Sequence, residues 1–185
     1  RVAWDKSLEG KTLKDWATRR KLAPTPENGA ALVLEAMLNG GGNAIYHVLD
    51  EQDVRRIMVA PFTMIASDGR ISSPGDGHPH PRAYGTFPRV LGEYVRLQKL
   101  LPLETAIHKM TQMPAVRLGL TDRGVLKVGN VADVVVFDAA TVKDMSTFAE
   151  PHQYPVGIET VVVNGVVAVS GGKATGVRAG KVVRR

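Results

Sequence analysis

The chain has 185 residues, of which 44% are hydrophobic, so it is long enough to bury the core of one ordinary domain or of part of a larger one. It contains no cysteine, which excludes a disulfide scaffold and a cysteine-based metal site. The longest apolar stretches are too short to span a bilayer, and the first residues lack the apolar segment of a signal peptide. A cytoplasmic location is therefore expected.

The formal net charge of +6 raises the possibility of nucleic-acid binding. The basic residues are scattered, however, and the densest group, Arg178 to Arg185, contains no aromatic residue that could stack on bases. A solvated excess of basic side chains, with a few arginines that bind anions, explains the charge more simply. We therefore expect neither a nucleic acid nor a membrane among the partners.

The first part of the chain alternates between helical and extended patterns. Helices are predicted to begin after Thr12, Thr25 and Asp50, because each is a good N-cap residue followed by an acidic residue in the first turn. Strands are predicted over residues 44–48 and 63–66. This alternation is typical of βα units around a parallel sheet.

The second part of the chain changes from helical to β patterns. Apolar residues recur at 3.6-residue spacing over residues 89–101, and a further helix is expected from Pro102. From residue 124 onwards the sequence is rich in β-branched residues. The Asn164-Gly165 pair between two apolar runs is a strong hairpin signal. The sequence therefore predicts a small antiparallel β-module at this end.

The stretch that ends in Ser67-Asp68-Gly69 carries the first candidate for chemistry. It predicts a buried strand that delivers the Asp68 carboxylate at its C-terminal end, where the loops of a parallel α/β barrel converge. Gly69 is expected to let the chain turn sharply. The loop that follows ends at Arg82, whose planar guanidinium suits a carboxylate ligand. One hypothesis is an acid or base followed by an anion clamp. The alternative is an Asp68 that caps the next helix, with Arg82 in a surface ion pair.

Four stretches of the sequence are motifs shared with known proteins. The most specific is the run from His80 to Gly92, HPRAYGTFPRVLG, preceded by Ser67-Asp68-Gly69. Two others are PAVRLGL over 114–120 and FAEPHQYP over 148–155, and the last is GNVADVVVFD over 129–138. The first three resemble the D-aminoacylase (N-acyl-D-amino-acid deacylase) family, and the last is shared more widely across the amidohydrolase superfamily. The resemblance covers essentially the whole chain.

The resemblance implies an α/β fold, the C-terminal part of a metal-dependent (β/α)8 barrel followed by strands of a small β-sandwich. Residues 1–120 would be the last βα units of this TIM-type barrel with the catalytic loop, and residues 121–185 a segment of the sandwich. Half a barrel leaves strand edges unpaired, so we expect the chain to be neither stable nor active alone.

The resemblance also implies a zinc-dependent enzyme that hydrolyses the linear amide bond of N-acyl-D-amino acids to a D-amino acid and a carboxylate. Zinc would polarise the amide carbonyl and activate water. Asp68 would act as general base and then as acid, and would also contact a metal. Arg82 would bind the α-carboxylate of the substrate, with Tyr84 as a second substrate-binding residue. The principal zinc ligands of the family have no counterpart here and are expected outside this chain, upstream or on another chain.

Other histidines and other functions remain open at this point. His78 and His80 have a His-x-His spacing but follow the last predicted barrel strand, so a zinc role is not favoured. His47 and His152 are isolated, and structural roles are favoured for them. The rival functions are a cyclic-amide hydrolase of the same superfamily, such as a hydantoinase or dihydroorotase, and a non-catalytic module that binds a partner.

Overall fold

The structure is a computed structural model that describes residues 2–75 and 77–183, so Arg184 and Arg185 of the basic segment lie outside the described residues. The described part contains six α-helices, α1 (Leu13–Arg19), α2 (Pro26–Leu38), α3 (Glu51–Val59), α4 (Arg82–Arg89), α5 (Leu103–Met110) and α6 (Gln112–Leu118). A 3-10 helix (Lys6–Leu8) precedes α1, and a π-helical segment (Val90–Leu97) continues α4. Across these residues we find no helix with both the length and the apolarity to cross a bilayer.

The first three helices begin where the capping residues predict. The side chain of Thr12 accepts a hydrogen bond from Asp15 N, and the Asp15 carboxylate accepts one from Thr12 N at 2.9 Å, which is a complete capping box. Thr25 caps α2 and Asp50 caps α3 in the same way, each through one side-chain oxygen. These three predictions are confirmed.

One antiparallel sheet follows the helices, with its strands in the order of the sequence. The strands are β1 (Val134–Phe137), β2 (Ile158–Val163), β3 (Val166–Ser170) and β4 (Lys173–Ala174). At the β2–β3 turn, Asn164 and Gly165 have φ values of 48° and 79°. Both lie in the left-handed region, as a two-residue hairpin with the twist of its strands requires. The predicted hairpin is confirmed.

The two strands predicted over residues 44–48 and 63–66 are wrong as secondary structure. Neither segment pairs with a strand among the described residues. A β-strand needs a neighbouring strand to hydrogen-bond, and an apolar pattern does not supply one. Ile65 N instead donates to the main-chain oxygen of Lys109 at 3.1 Å. The observed architecture is therefore a set of helices followed by a small antiparallel sheet, with the 63–66 segment lying against α5.

Lys109 on α5 is the most deeply buried charged residue described, at 2% exposure. Its Nζ donates to the main-chain oxygens of Ala60 and Thr63 and to the Thr63 hydroxyl. An ammonium group has three protons, and each has an oxygen acceptor here. The cation also lies at the C-terminal end of α3, where the helix dipole favours positive charge. Lys109 thus fixes the segment between α3 and Asp68 onto α5.

The helix after the loop begins earlier than predicted and changes its winding. It starts at Arg82, and over Val90–Leu97 it is π-helical, so that the 3.6-residue spacing predicted for residues 89–101 is wrong there. A bond from Gln98 N to Glu93 O at 2.9 Å spans five residues. Four residues near the start of this segment are buried, namely Val90, Leu91, Gly92 and Tyr94. The π-helical segment therefore packs a broad face against the interior.

Arg123 joins the segment after α6 to the β-hairpin. Its guanidinium forms an ion pair with Asp133 and lies 3.4 Å from the Asn164 side-chain oxygen, and its side chain is 19% exposed. Asn164 N in turn donates to Asp133 at 2.8 Å. The hairpin turn is thus held to the preceding segment through one largely covered arginine.

The substitution Arg123→Met should lower the free energy of unfolding by about 1–3 kcal/mol, because Asp133 and Asn164 lose a partner at a covered site. Urea denaturation of the protein expressed from its complete reading frame measures this change. Arg56→Met is the matched control, since Arg56 pairs with Asp53 at a side chain that is 78% exposed, and it should cost less than about 0.5 kcal/mol. Equal effects of the two substitutions would contradict the structural role of Arg123.

Candidate active site

Asp68 and Arg82, which the sequence predicts as site residues, lie side by side. Arg82 Nη2 is 2.9 Å from Asp68 Oδ2, and Arg82 Nε donates to the Asp68 main-chain oxygen at 3.1 Å. Their side chains are 45% and 88% exposed. An ion pair this exposed contributes only about 0–1 kcal/mol. The guanidinium can therefore exchange the Asp68 carboxylate for another carboxylate at little cost.

The geometry also bears on the alternative hypothesis for these residues. The surface ion pair that this hypothesis expected is present. Asp68 does not cap the next helix, however, because Pro81 is the N-cap of α4 and the first amide of the helix, Arg82 N, donates to the side chain of His80. The carboxylate of Asp68 has the guanidinium of Arg82 as its ion-pair partner among the described residues.

The residue with a left-handed backbone at this turn is Asp68, where φ is 49°, and not Gly69. Aspartate is among the few residues other than glycine that visit this left-handed region. Gly69 is needed for a different reason. A side-chain carbon there would lie 2.8 Å from Ala83 Cα and 2.9 Å from Arg82 O. Glycine at 69 thus allows the loop and the start of α4 to approach closely.

Ser67 hydrogen-bonds on both sides of this close approach. Its hydroxyl donates to the main-chain oxygen of Arg82 at 3.0 Å and accepts from Gly69 N at 3.0 Å. The second bond closes a short turn around Asp68 of the kind that serine hydroxyls favour. The first bond ties that turn to the first residue of α4.

His80 supports the start of α4 as a neutral side chain. Its Nδ1 lies 3.0 Å from Arg82 N, and because a backbone amide can only donate, this nitrogen must carry no proton. Burial, and then the charges of Arg82 and His47, lower the pKa of His80 from its ordinary value. The local environment thus favours the protonation state that the hydrogen bond requires.

Tyr84, the third predicted site residue, anchors the loop between Asp68 and Arg82. Its hydroxyl donates to Ser72 O at 2.8 Å and lies 2.9 Å from His152 Nδ1. The other ring nitrogen of His152 is 3.0 Å from Gly77 O. The Tyr84 ring also packs edge-on against Tyr154. The hydroxyl is therefore engaged within the protein, and a contact between Tyr84 and substrate stays a prediction.

His47, His78 and His80 all contact Phe148. His78 Nε2 is 2.6 Å from Phe148 O, and the rings of His47 and His80 meet the Phe148 ring edge-on at 4.5 and 5.2 Å. Across residues 2–75 and 77–183, no three or more His, Cys, Asp or Glu residues are grouped so that they could hold a metal ion. Zinc takes three or four protein ligands. The described residues therefore do not form a zinc site by themselves.

Sequence reasoning did not identify the residues that support Asp68, Arg82 and Tyr84. Ser67 stands two residues before a glycine, a pattern typical of a serine-closed turn, and this signal could have found it. The contact between Tyr84 and His152 joins residues 68 positions apart and has no local signature. The same is true of Lys109, which reaches back 46 positions to Thr63.

Comparison with known proteins places these features in context. The model of the amidohydrolase family matches residues 15–169. The chain is 51% identical to a D-aminoacylase of Alcaligenes xylosoxydans xylosoxydans over 142 residues, which cover 77% of this chain and 29% of that protein. It is 42% identical to an N-acyl-D-aspartate deacylase of the same organism over 183 residues, or 98% of this chain and 35% of that protein. The chain thus spans about a third of the length of these relatives.

Solved structures give the same picture. A D-aminoacylase studied for its binuclear metal centre superimposes with a TM-score of 0.82 at 44% identity, covering 94% of this chain and 34% of that one. An N-acyl-D-glutamate deacylase of Bordetella bronchiseptica, complexed with zinc and a phosphonate inhibitor, superimposes with a TM-score of 0.73 at 43% identity. This match covers 85% of this chain and 31% of that one. The resemblance to the D-aminoacylases that the motifs carry is confirmed, and the chain belongs to the amidohydrolase family.

Proposed function

We propose that the protein containing this chain hydrolyses N-acyl-D-amino acids to a D-amino acid and a carboxylate. In this proposal Asp68 transfers the proton and Arg82 binds the α-carboxylate of the substrate. The observation that carries it is the contact between the Asp68 carboxylate and the Arg82 guanidinium at 2.9 Å, on adjoining elements of the chain. The names of the relatives support the substrate class, because N-acyl-D-aspartate and N-acyl-D-glutamate both carry an α-carboxylate.

Asp68 has the chemistry that amide hydrolysis needs from a proton carrier. A water oxygen adds to the amide carbonyl carbon, and the ionised carboxylate accepts the proton that this water loses. The bond between the carbonyl carbon and nitrogen then breaks, and the carboxyl group returns the proton to the leaving amine. The 88% exposure of Asp68 leaves its carboxylate accessible to both water and substrate.

Arg82 can take a substrate carboxylate without losing its own position. Its Nε is bonded to a main-chain oxygen, at Asp68, and this bond does not use the Asp68 carboxylate. Nη2 can then release the Asp68 carboxylate and bond the substrate together with Nη1, which has no hydrogen-bond partner within the described part of the chain. A carboxylate held by two nitrogens fixes the chiral centre beside it. This arrangement offers a way to select the D-isomer.

Zinc is part of the proposal as a cofactor, with its principal ligands outside this chain. The described residues contribute one carboxylate, Asp68, which we propose as a metal ligand. The relatives with a binuclear metal centre and with bound zinc support the cofactor, and the role of Asp68 as a ligand stays a proposal.

We also propose that residues 1–120 are the last βα units of a (β/α)8 barrel and residues 121–185 a segment of a β-sandwich. The TM-scores against D-aminoacylase and the change from helices to antiparallel strands support this division. A group of large apolar side chains is exposed before α4, namely Leu38, Val48, Leu49, Phe62 and Ile71. So much exposed apolar surface is unusual for a self-sufficient domain, which supports a chain that needs the rest of the barrel. The cytoplasmic location stays a prediction.

Asp68→Asn should lower kcat for N-acetyl-D-amino acids by about 10²- to 10⁴-fold, because the amide keeps the shape of the carboxylate but accepts no proton. Steady-state kinetics of the protein from its complete reading frame measures this effect. Asp53→Asn also removes an exposed, ion-paired carboxylate, and it should leave kcat unchanged. Normal turnover by the Asp68 variant would refute the proposed role.

Arg82→Met should raise KM for N-acyl-D-amino acids by about 10- to 100-fold, which corresponds to the loss of one or two charge-assisted hydrogen bonds. An N-acyl amine without the α-carboxylate should change by less than about threefold, because it never used the guanidinium. Equal losses on both substrates would contradict the clamp. Hydrolysis of hydantoins with no action on N-acyl-D-amino acids would favour a cyclic-amide hydrolase instead.

Acidification should weaken the start of α4 through His80. Because the pKa of His80 is lowered from 6.5 in the folded chain, the folded state binds fewer protons than the unfolded state as the pH falls below 6.5. The stabilisation is therefore complete above 6.5 and is lost as the pH falls through the lowered value. Urea midpoints measured from about pH 8 to pH 5 should show this decline.

The substitution His80→Asn isolates the contribution of this side chain. Its amide oxygen can accept from Arg82 N but does not titrate, so the decline in stability below pH 6.5 should become shallower. His108→Asn, at an exposed position on α5, serves as the control. An unchanged pH dependence in the His80 variant would show that this histidine does not couple folding to pH.

A further inference from the structure

We propose that Ser67 is a positioning residue that keeps Asp68 and Arg82 at a fixed separation while substrate is bound. The inference rests on the proposed function, since it concerns the distance between the proton carrier and the carboxylate clamp. This role depends on the contacts between the Asp68 turn and Arg82 that remain in place when a substrate binds.

Three contacts join the Asp68 turn to Arg82 in the structure. One is the ion pair between the side chains at 2.9 Å, and another runs from Arg82 Nε to the Asp68 main-chain oxygen at 3.1 Å. The last runs from the Ser67 hydroxyl to the Arg82 main-chain oxygen at 3.0 Å. The first two use the guanidinium, and only the last is independent of it.

Binding of a substrate carboxylate changes these contacts unequally. The substrate carboxylate competes with the Asp68 carboxylate for Nη2, so the ion pair is given up, and the Nε bond lasts only while the guanidinium keeps its place. The bond from Ser67 to the Arg82 main chain is unaffected, because main-chain atoms at the first position of α4 do not move with the guanidinium. Ser67 therefore maintains the separation during the reaction.

The same hydroxyl also holds the conformation of Asp68. Its bond from Gly69 N spans Asp68, whose φ of 49° is less favourable than the helical or extended region. With both bonds in place, Ser67 fixes the direction in which the Asp68 side chain leaves the backbone and its distance from α4. Misplacement of a reacting group by about 1 Å can cost about 100-fold in rate.

The test compares Ser67→Ala with Ser67→Thr in the protein from its complete reading frame. The alanine variant loses both hydrogen bonds, whereas the threonine variant keeps the hydroxyl. We expect Ser67→Ala to lower kcat/KM for N-acetyl-D-amino acids by about 10- to 100-fold, and Ser67→Thr to stay within about threefold of the parent. Ser170→Ala, at an exposed position on β3, is the matched control and should change nothing.

Two further measurements separate positioning from general support of the fold. On an N-acyl amine without the α-carboxylate, Ser67→Ala should cost several-fold less than on N-acetyl-D-amino acids, because only the direction of Asp68 is then lost and no clamp distance has to be kept. In an Arg82→Met background, the additional effect of Ser67→Ala on N-acetyl-D-amino acids should likewise be smaller than in the parent, since residues that act as a unit are not additive. Equal loss on both substrates, or full additivity with Arg82→Met, would overturn the inference.

The outcomes distinguish this inference from the proposed function. If Asp68→Asn and Arg82→Met behave as expected but Ser67→Ala does not, only the positioning role fails. If Asp68→Asn retains full activity, the proposed function fails whatever Ser67 does. Should Ser67→Ala not accumulate as folded protein, Ser67→Cys replaces it, because a thiol of similar size is a much weaker hydrogen-bonding group.

Discussion

A single buried ammonium group determines how the chain approaches the candidate site. The Nζ of Lys109 uses its protons on oxygens of Ala60 and Thr63, and the main-chain oxygen of Lys109 receives the Ile65 amide. The ammonium group itself is almost fully buried, where a charge without hydrogen-bond partners is costly. A residue on α5 thereby sets the path of the segment that ends at Asp68, although no local pattern links the two.

The site itself combines contacts of two different strengths. The charge contact between Asp68 and Arg82 is exposed to water and therefore weak, which suits a group that must change partners. The contacts behind it use main-chain atoms, a serine hydroxyl and a neutral imidazole, and they do not depend on the position of the guanidinium. An exchangeable charge on a fixed backbone is what a reusable carboxylate site requires.

Local signals in the sequence predicted local structure well, and the failures come from contacts between distant segments. The capping box at Thr12 and the Asn164-Gly165 turn involve residues within a few positions of one another, so their chemistry is visible in the sequence. Asp68 and Arg82 were predicted as site residues because each lies in a sequence motif. The segment 44–48 was predicted as a strand from its own apolar pattern, whereas strand pairing depends on residues elsewhere in the chain. The contact between Tyr84 and His152 was missed for the same reason.

The π-helical segment Val90–Leu97 has a consequence for the orientation of the site. Each residue of an α-helix advances by about 100° around the axis. The insertion or deletion of one residue in this segment would therefore rotate α4 by about that angle relative to the buried face that follows. Arg82 would then leave the helix in a different direction from the one that reaches Asp68. The number of residues in a buried segment about two turns away thus determines the direction of the Arg82 guanidinium. Insertions or deletions in that segment would change the site although they lie outside it.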